Sequence, residues 1–149
     1  MEYVMKLKPI HLSITSHPEN LKGIRKVMKD IVSKTGLSKE DSGCIILAVD
    51  EACSNIIKHG YKNDYNQKID MIVTLETNLL TISIIDNGIS FDKNSIETRD
   101  IDEIKPGGLG IYIITQVMDR VEYTRTPEGF NKIKMVKKLT KKGIHHNEF

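Results

Sequence analysis

The sequence has no tryptophan, and aromatic residues make up only 5% of it. Any core must therefore be built from aliphatic side chains and methionine. Cysteine is equally scarce: Cys44 and Cys53 stand alone. On one helical stretch they would be about 13 Å apart, too far for a disulfide, and no further cysteine or clustered histidine offers a zinc set. Both are expected as reduced, buried thiols, which suits a cytoplasmic protein. No apolar run approaches the roughly 18 residues that span a bilayer. The first residues hold no apolar run before a small-residue cleavage site, so neither a secretory signal nor a membrane association is expected. Excess charge of one sign is also missing. A formal net charge of +2 argues against a dedicated nucleic-acid binder, whose basic face would push the balance higher. Finally, there is no G-x-x-x-x-G-K followed by Ser or Thr, so a Walker A phosphate loop is excluded.

What remains is an ordinary globular composition, 39% hydrophobic and 28% charged over 149 residues. That length fits one domain, expected to span residues 1–149, and buries roughly two thirds of its unfolded surface without staples. Residues 140–149 are expected as a flexible tail, and His145-His146 within it is assigned nothing.

Hydrophobic period places the elements. Residues 4–14 alternate as a first strand. Ser16-His-Pro-Glu19 resembles a capping box with proline in the first turn. Leu21, Ile24, Val27, Met28 and Ile31 then recur at helical spacing, ending near Gly36. Ser38-Lys-Glu-Asp41 caps a second helix that runs to about His59, where Gly60 stops it. Ile69, Met71, Val73 and Leu75 alternate, as do Leu80, Ile82 and Ile84, with Glu76-Thr-Asn78 between them as a hairpin turn. Residues 87–106 are polar and without period. A third helix is expected from about Gly108 to Met118. Two short strands follow, at about 121–125 and 132–139, joined through Pro127-Glu-Gly129. Lys132 and Lys134 alternate with Ile133 and Met135, which reads as a half-buried strand with solvated lysines of the kind that guards a sheet edge. The expected fold is a two-layer α/β sandwich, with a mixed, mostly antiparallel sheet and its helices on one face.

Three pieces carry chemistry. On the second helix, Ile45, Ala48, Val49, Ala52 and Ile56 form the core stripe, while Glu51, Asn55 and Lys58 share a narrow sector. A carboxylate on so apolar a helix is costly unless paired or used. Asn55 can offer an amide oxygen to a magnesium that otherwise keeps water and phosphate ligands. Glu51, one turn earlier, stands where a hydroxyl or water needs a proton acceptor. Asp86 ends a strand, and a carboxylate there can accept from the adenine amino group while Gly88 leaves room for the base. Gly107-Gly-Leu-Gly110 opens a helix, so successive N–H groups and the positive helix end can face one anion.

Asp50-Glu51-Ala-Cys-Ser-Asn55-Ile-Ile-Lys-His59-Gly60-Tyr61, Asp86-Asn-Gly88 and Gly107-Gly-Leu-Gly110-Ile-Tyr-Ile-Ile resemble the N, G1 and G2 boxes of the GHKL ATPases. The chain is most similar to the bacterial anti-sigma-factor serine/threonine kinases of partner-switching pathways, over about residues 8–140. The resemblance implies a Bergerat fold, ATP with Mg2+, and usually a homodimer. It also implies an anti-anti-sigma antagonist protein as the phosphorylated partner, alongside a sigma factor. It puts the catalytic base on Glu51, the magnesium ligand on Asn55 and base recognition on Asp86 and Gly88. Phosphate binding falls to Gly108 and Gly110, and Lys58, His59, Lys105, Gly107, Leu109 and Ile111 join the nucleotide contacts. Residues 87–106 would form the ATP lid. The chain departs from the pattern twice. Several such kinases carry an arginine just before the second glycine box, where this chain has Lys105-Pro106. Many place threonine after the glycine between the last two strands, where it supports the adenine pocket; here Gly129 is followed by Phe130-Asn131, and Asn131 is expected to substitute by hydrogen bonding. A nucleotide-gated binding module that holds its partner without phosphorylating it is the alternative.

Overall fold

The computed structural model describes residues 8–89 and 114–139. Five strands make one sheet: β1 (Ile10–Thr15), β2 (Lys68–Glu76), β3 (Leu79–Asp86), β4 (Arg120–Arg125) and β5 (Asn131–Lys138). Their order is β1-β2-β3-β5-β4, and each of the four pairings is antiparallel. The expected mixed, mostly antiparallel sheet is thus antiparallel throughout its described strands. Two helices, α1 (Leu21–Val32) and α2 (Lys39–Asn55), pack against one face.

Cross-strand partners share a face, so the register sorts the side chains. Val73, Ile82 and Met135 lie in one row across β2, β3 and β5, and Met71, Ile84 and Ile133 in another. These residues meet Ile24, Met28 and Ile31 of α1 and Ile45, Ala48, Val49 and Ala52 of α2 in a single buried cluster. Burying an aliphatic side chain of that size contributes about 1.5–3 kcal/mol, so the aromatic-poor core is held by many ordinary contacts. The opposite face of β5 carries Lys132 and Lys134. β5 lies between β3 and β4; the lysines therefore line an interior strand and not the edge that their alternation suggests.

The helix ends show local chemistry at work. Ser38 caps α2 by accepting from the Asp41 N–H at 3.0 Å. The first helical segment starts differently from expectation. A short 3-10 turn, Pro18–Asn20, precedes α1 and is capped by His17, whose Nδ1 accepts from the Glu19 N–H. Ser16 is fully buried, and its hydroxyl donates to the Asp64 carbonyl and accepts from the Gln67 N–H. It pins the loop before β2 instead of capping a helix. α2 runs straight into a π-helical turn, Ile56–Gly60, so the helical path does reach Gly60 as its sequence implies. The wider turn is closed by the Tyr61 N–H donating to the Ile56 carbonyl.

Candidate functional site

Where the end of α2 meets the ends of β3, β4 and β5 there is a cavity of about 310 Å³. Its floor is apolar, with Ala52, Ile56, Ile114, Tyr123 and Ile133, and its polar groups include Asn55, Asp86, Asn131 and Arg125. A small, mostly apolar pocket with a few convergent polar groups is what a purine needs.

Asp86 is 8% exposed and is the last residue of β3. Its Oδ1 accepts from the Gly88 N–H at 2.8 Å and from the Asn131 Nδ2 at 3.1 Å. Asn131 faces Asp86 directly across the β3–β5 ladder, and the same amide nitrogen donates to the Gly88 carbonyl at 2.9 Å. Asn131 therefore fixes both the carboxylate and the turn behind it. Among the described residues no hydrogen bond reaches Oδ2 of Asp86, which leaves that oxygen as the acceptor for a ligand donor. Gly88 has a steric reason to be glycine: a Cβ there would sit 2.6 Å from the Gly60 carbonyl group. The two backbones are further joined by the Ile89 N–H donating to the Gly60 carbonyl at 2.8 Å.

Asn55 is the last residue of α2 and only 7% exposed, yet its side chain makes no hydrogen bond to another described residue and lines the cavity. No fully buried side-chain nitrogen or oxygen among the described residues lacks a hydrogen-bond partner, so the Asn55 amide opens onto the cavity, where a ligand can meet it. Among the described residues no cluster of three or more His, Cys, Asp or Glu could hold a metal alone. Magnesium uses one or two protein oxygens and completes its shell with water and phosphate, so it needs no such cluster.

The two neighbouring carboxylates on α2 differ. Asp50 pairs with Arg25 of α1 at 2.5 Å, a structural tie between the helices. Glu51 is half-buried and has no ion pair among the described residues. It does not line the cavity itself but stands one turn before Asn55. Lys58 and His59 are exposed and lie outside the cavity wall. The π-turn explains this for Lys58. The seven-residue return to one face holds for an α-helix, and here the winding changes at Ile56. Lys105, Gly107, Gly108, Leu109, Gly110 and Ile111 lie outside the described residues, as do residues 90–106 of the expected lid.

The sequence reading passed over Tyr123, Arg125 and Gly60 as parts of this wall. Arg125 and Asn131 are cross-strand partners, as are Tyr123 and Ile133; only the pairing of β4 with β5 reveals them. Burial pushes the Tyr123 phenol up to about 12. Cys53, behind the wall, is pushed up to about 12 by burial, with the Asp50 and Asp86 charges adding. It is a buried thiol, as expected, whereas Cys44 is only half-buried; both cysteines are free.

Residues 14–137 match the family described as the histidine kinase-like ATPase domain. The chain belongs to that family. Its membership in this GHKL group implies ATP binding. Within it the chain is RsbW-like: it is 30% identical to serine-protein kinase RsbW of Bacillus thuringiensis (strain Al Hakam), over 78% of each chain. The RsbW of Bacillus anthracis matches at the same identity and coverage. The fold recurs in the SiaB–SiaC complex of Pseudomonas aeruginosa, with a TM-score of 0.66, 9% identity, and coverage of 85% of this chain and 88% of that one. It recurs too in the RsbU and RsbW domains of a Mycobacterium tuberculosis protein, at a TM-score of 0.64 and 16% identity. There 89% of this chain spans 33% of the longer one. Among the described residues no helix is long and apolar enough to cross a membrane.

Proposed function

We propose that the protein is an ATP-dependent serine/threonine kinase of a partner-switching pathway. Its substrate is a small anti-anti-sigma antagonist protein, and the kinase, as a cytoplasmic homodimer, also binds a sigma factor. The observation that carries the reading is Asn55: an amide on a mostly buried residue, with no side-chain hydrogen bond among the described residues, opening onto a cavity whose polar groups include the anchored carboxylate of Asp86. One group takes the metal–phosphate end and the other the base.

Asn55 would hold magnesium through its amide oxygen, and the bound ion would supply charge neutralisation on the phosphates. Asp86 orients the adenine through its free oxygen, and Gly88 admits the ring edge. Glu51 accepts the proton of the partner's hydroxyl as that oxygen bonds to the γ-phosphorus and the bond to ADP breaks. Unlike Asp50, whose charge is committed to Arg25, Glu51 is available for this work.

Lys105-Pro106, standing where several such kinases have an arginine, favours the second reading, a nucleotide-gated module that binds without phosphorylating. Glu51→Gln separates the two. It keeps size and hydrogen bonding but removes basicity, so ATP binding persists while labelling of a partner Ser or Thr falls about 10²–10⁴-fold. A wild type that binds ATP and partner tightly yet never labels the partner leaves the module standing.

A further inference from the structure

The β2–β3 ladder ends at the pair Ile69 and Asp86. One step further, Lys68 and Asn87 would face each other and form the next rung. They do not bond directly. The Tyr61 hydroxyl lies between them, donating to the Lys68 carbonyl at 2.5 Å and accepting from the Asn87 N–H at 2.8 Å. The phenol is 8% exposed, and it follows the π-turn directly, so its reach is set by that turn. Burial raises its pKa, the Asp86 and Asp70 charges add to this, and the Asn87 N–H opposes it. The hydroxyl thus keeps the proton it donates to Lys68.

A hydroxyl inserted into a ladder holds the two strands apart at that rung. Here the splayed strand end is Asp86-Asn87-Gly88, the segment that must stand clear of β2 to receive a base. The Gly60–Gly88 backbone contact holds the same segment from its other side. We propose that Tyr61 is a positioning residue for base recognition: its hydroxyl splices the β2–β3 ladder and sets where the free oxygen of Asp86 meets the exocyclic amino group of adenine. This deepens the nucleotide reading above and rests on it.

Tyr61→Phe in the full chain removes the splice and lets the Asn87 N–H bond the Lys68 carbonyl directly, drawing the turn toward β2. The expected result is a folded protein whose ATP affinity falls about five- to tenfold, the size of one hydrogen bond. Adenosine affinity should fall by the same factor and GTP affinity stay unchanged. A phenol that is merely structural would lower the melting temperature and leave the ATP-to-GTP ratio alone; that outcome overturns the proposal. A wild type that binds no ATP overturns the nucleotide reading and this proposal together, whereas an unchanged ratio in the variant overturns this proposal only. Amide exchange at Asn87 in the wild type without nucleotide gives a check that does not depend on the variant folding. Protection is expected, and exchange at the rate of an open chain would refute the splice.

Discussion

At the scale of single residues, the two oxygens of Asp86 have separate duties. Oδ1 is held by Gly88 and Asn131, so the carboxylate cannot rotate to suit a different ligand. Replacing it with asparagine keeps an anchored oxygen but turns an NH2 group toward the base. Asp86→Asn should therefore weaken ATP by about tenfold or more, with a donor now facing a donor, and strengthen GTP, whose O6 accepts. Isothermal titration with both nucleotides checks this. The same titration with and without magnesium isolates Asn55. Asn55→Ala should abolish the metal-dependent part of ATP affinity and leave adenosine binding nearly intact. Arg25 and Asp50 supply the contrast within α1 and α2, because their exposed-to-half-buried pair contributes only about 0.2–1 kcal/mol to stability and nothing to the cavity.

At the scale of elements, the contact between the π-turn and the turn after β3 decides whether a cavity exists. Gly88→Ala would press a methyl group into the Gly60 backbone, where no side chain can give way. The hairpin core of β2 and β3 lies elsewhere, so the variant should remain folded by circular dichroism while nucleotide binding falls at least tenfold. How much of this was legible beforehand follows from range. The helix faces, the β2–β3 hairpin, the Ser38 cap and the position of Asp86 at a strand end are encoded by neighbours within a few residues, and the periods of 3.6 and 2 expose them. Ser16 misled because its short-range pattern fits a cap, while its partners, Asp64 and Gln67, are about fifty residues away. Lys132 and Lys134 misled for a similar reason: alternation shows that a strand is half-buried but not whether it has one neighbour or two. Arg125 and Tyr123 entered the cavity wall only through cross-strand register. Asn131 was legible because family resemblance supplied the long-range pairing that spacing could not.

For the molecule as a whole, burial sets a limit on alkaline pH. Cys53 rises from 9.0 to about 12 and the Tyr123 phenol from 10.0 to about 12 on folding, and Tyr61 moves in the same direction. Each of these groups binds its proton more tightly when folded. Their contribution is complete below the unfolded values and is lost as pH climbs from about 9 toward 12. Stability should thus be insensitive to these groups near neutrality and fall steeply above pH 9, by up to about 1.4 kcal/mol per pH unit for each group in its window, with the thermal unfolding midpoint falling alongside. Cys53→Ala should remove the earliest part of that decline. A midpoint that holds steady to pH 11 would contradict the burial of these side chains.

The π-turn at Ile56–Gly60 also bears on how such a chain can change length. A wide turn holds one residue more than regular winding needs. Deleting one of its exposed residues, Lys58 or His59, lets the helix close as an ordinary one and leaves what precedes and follows it in place. The regular winding of α2 has no such slack: a deletion there rotates everything after it by about 100° and shifts it by about 1.5 Å. Gly60 would then leave Gly88, and Tyr61 would leave the gap between Lys68 and Asn87. A scan of single-residue deletions along residues 39–60, scored by nucleotide binding in folded variants, should therefore find its mildest losses at Lys58 and His59 and its sharpest within residues 39–55.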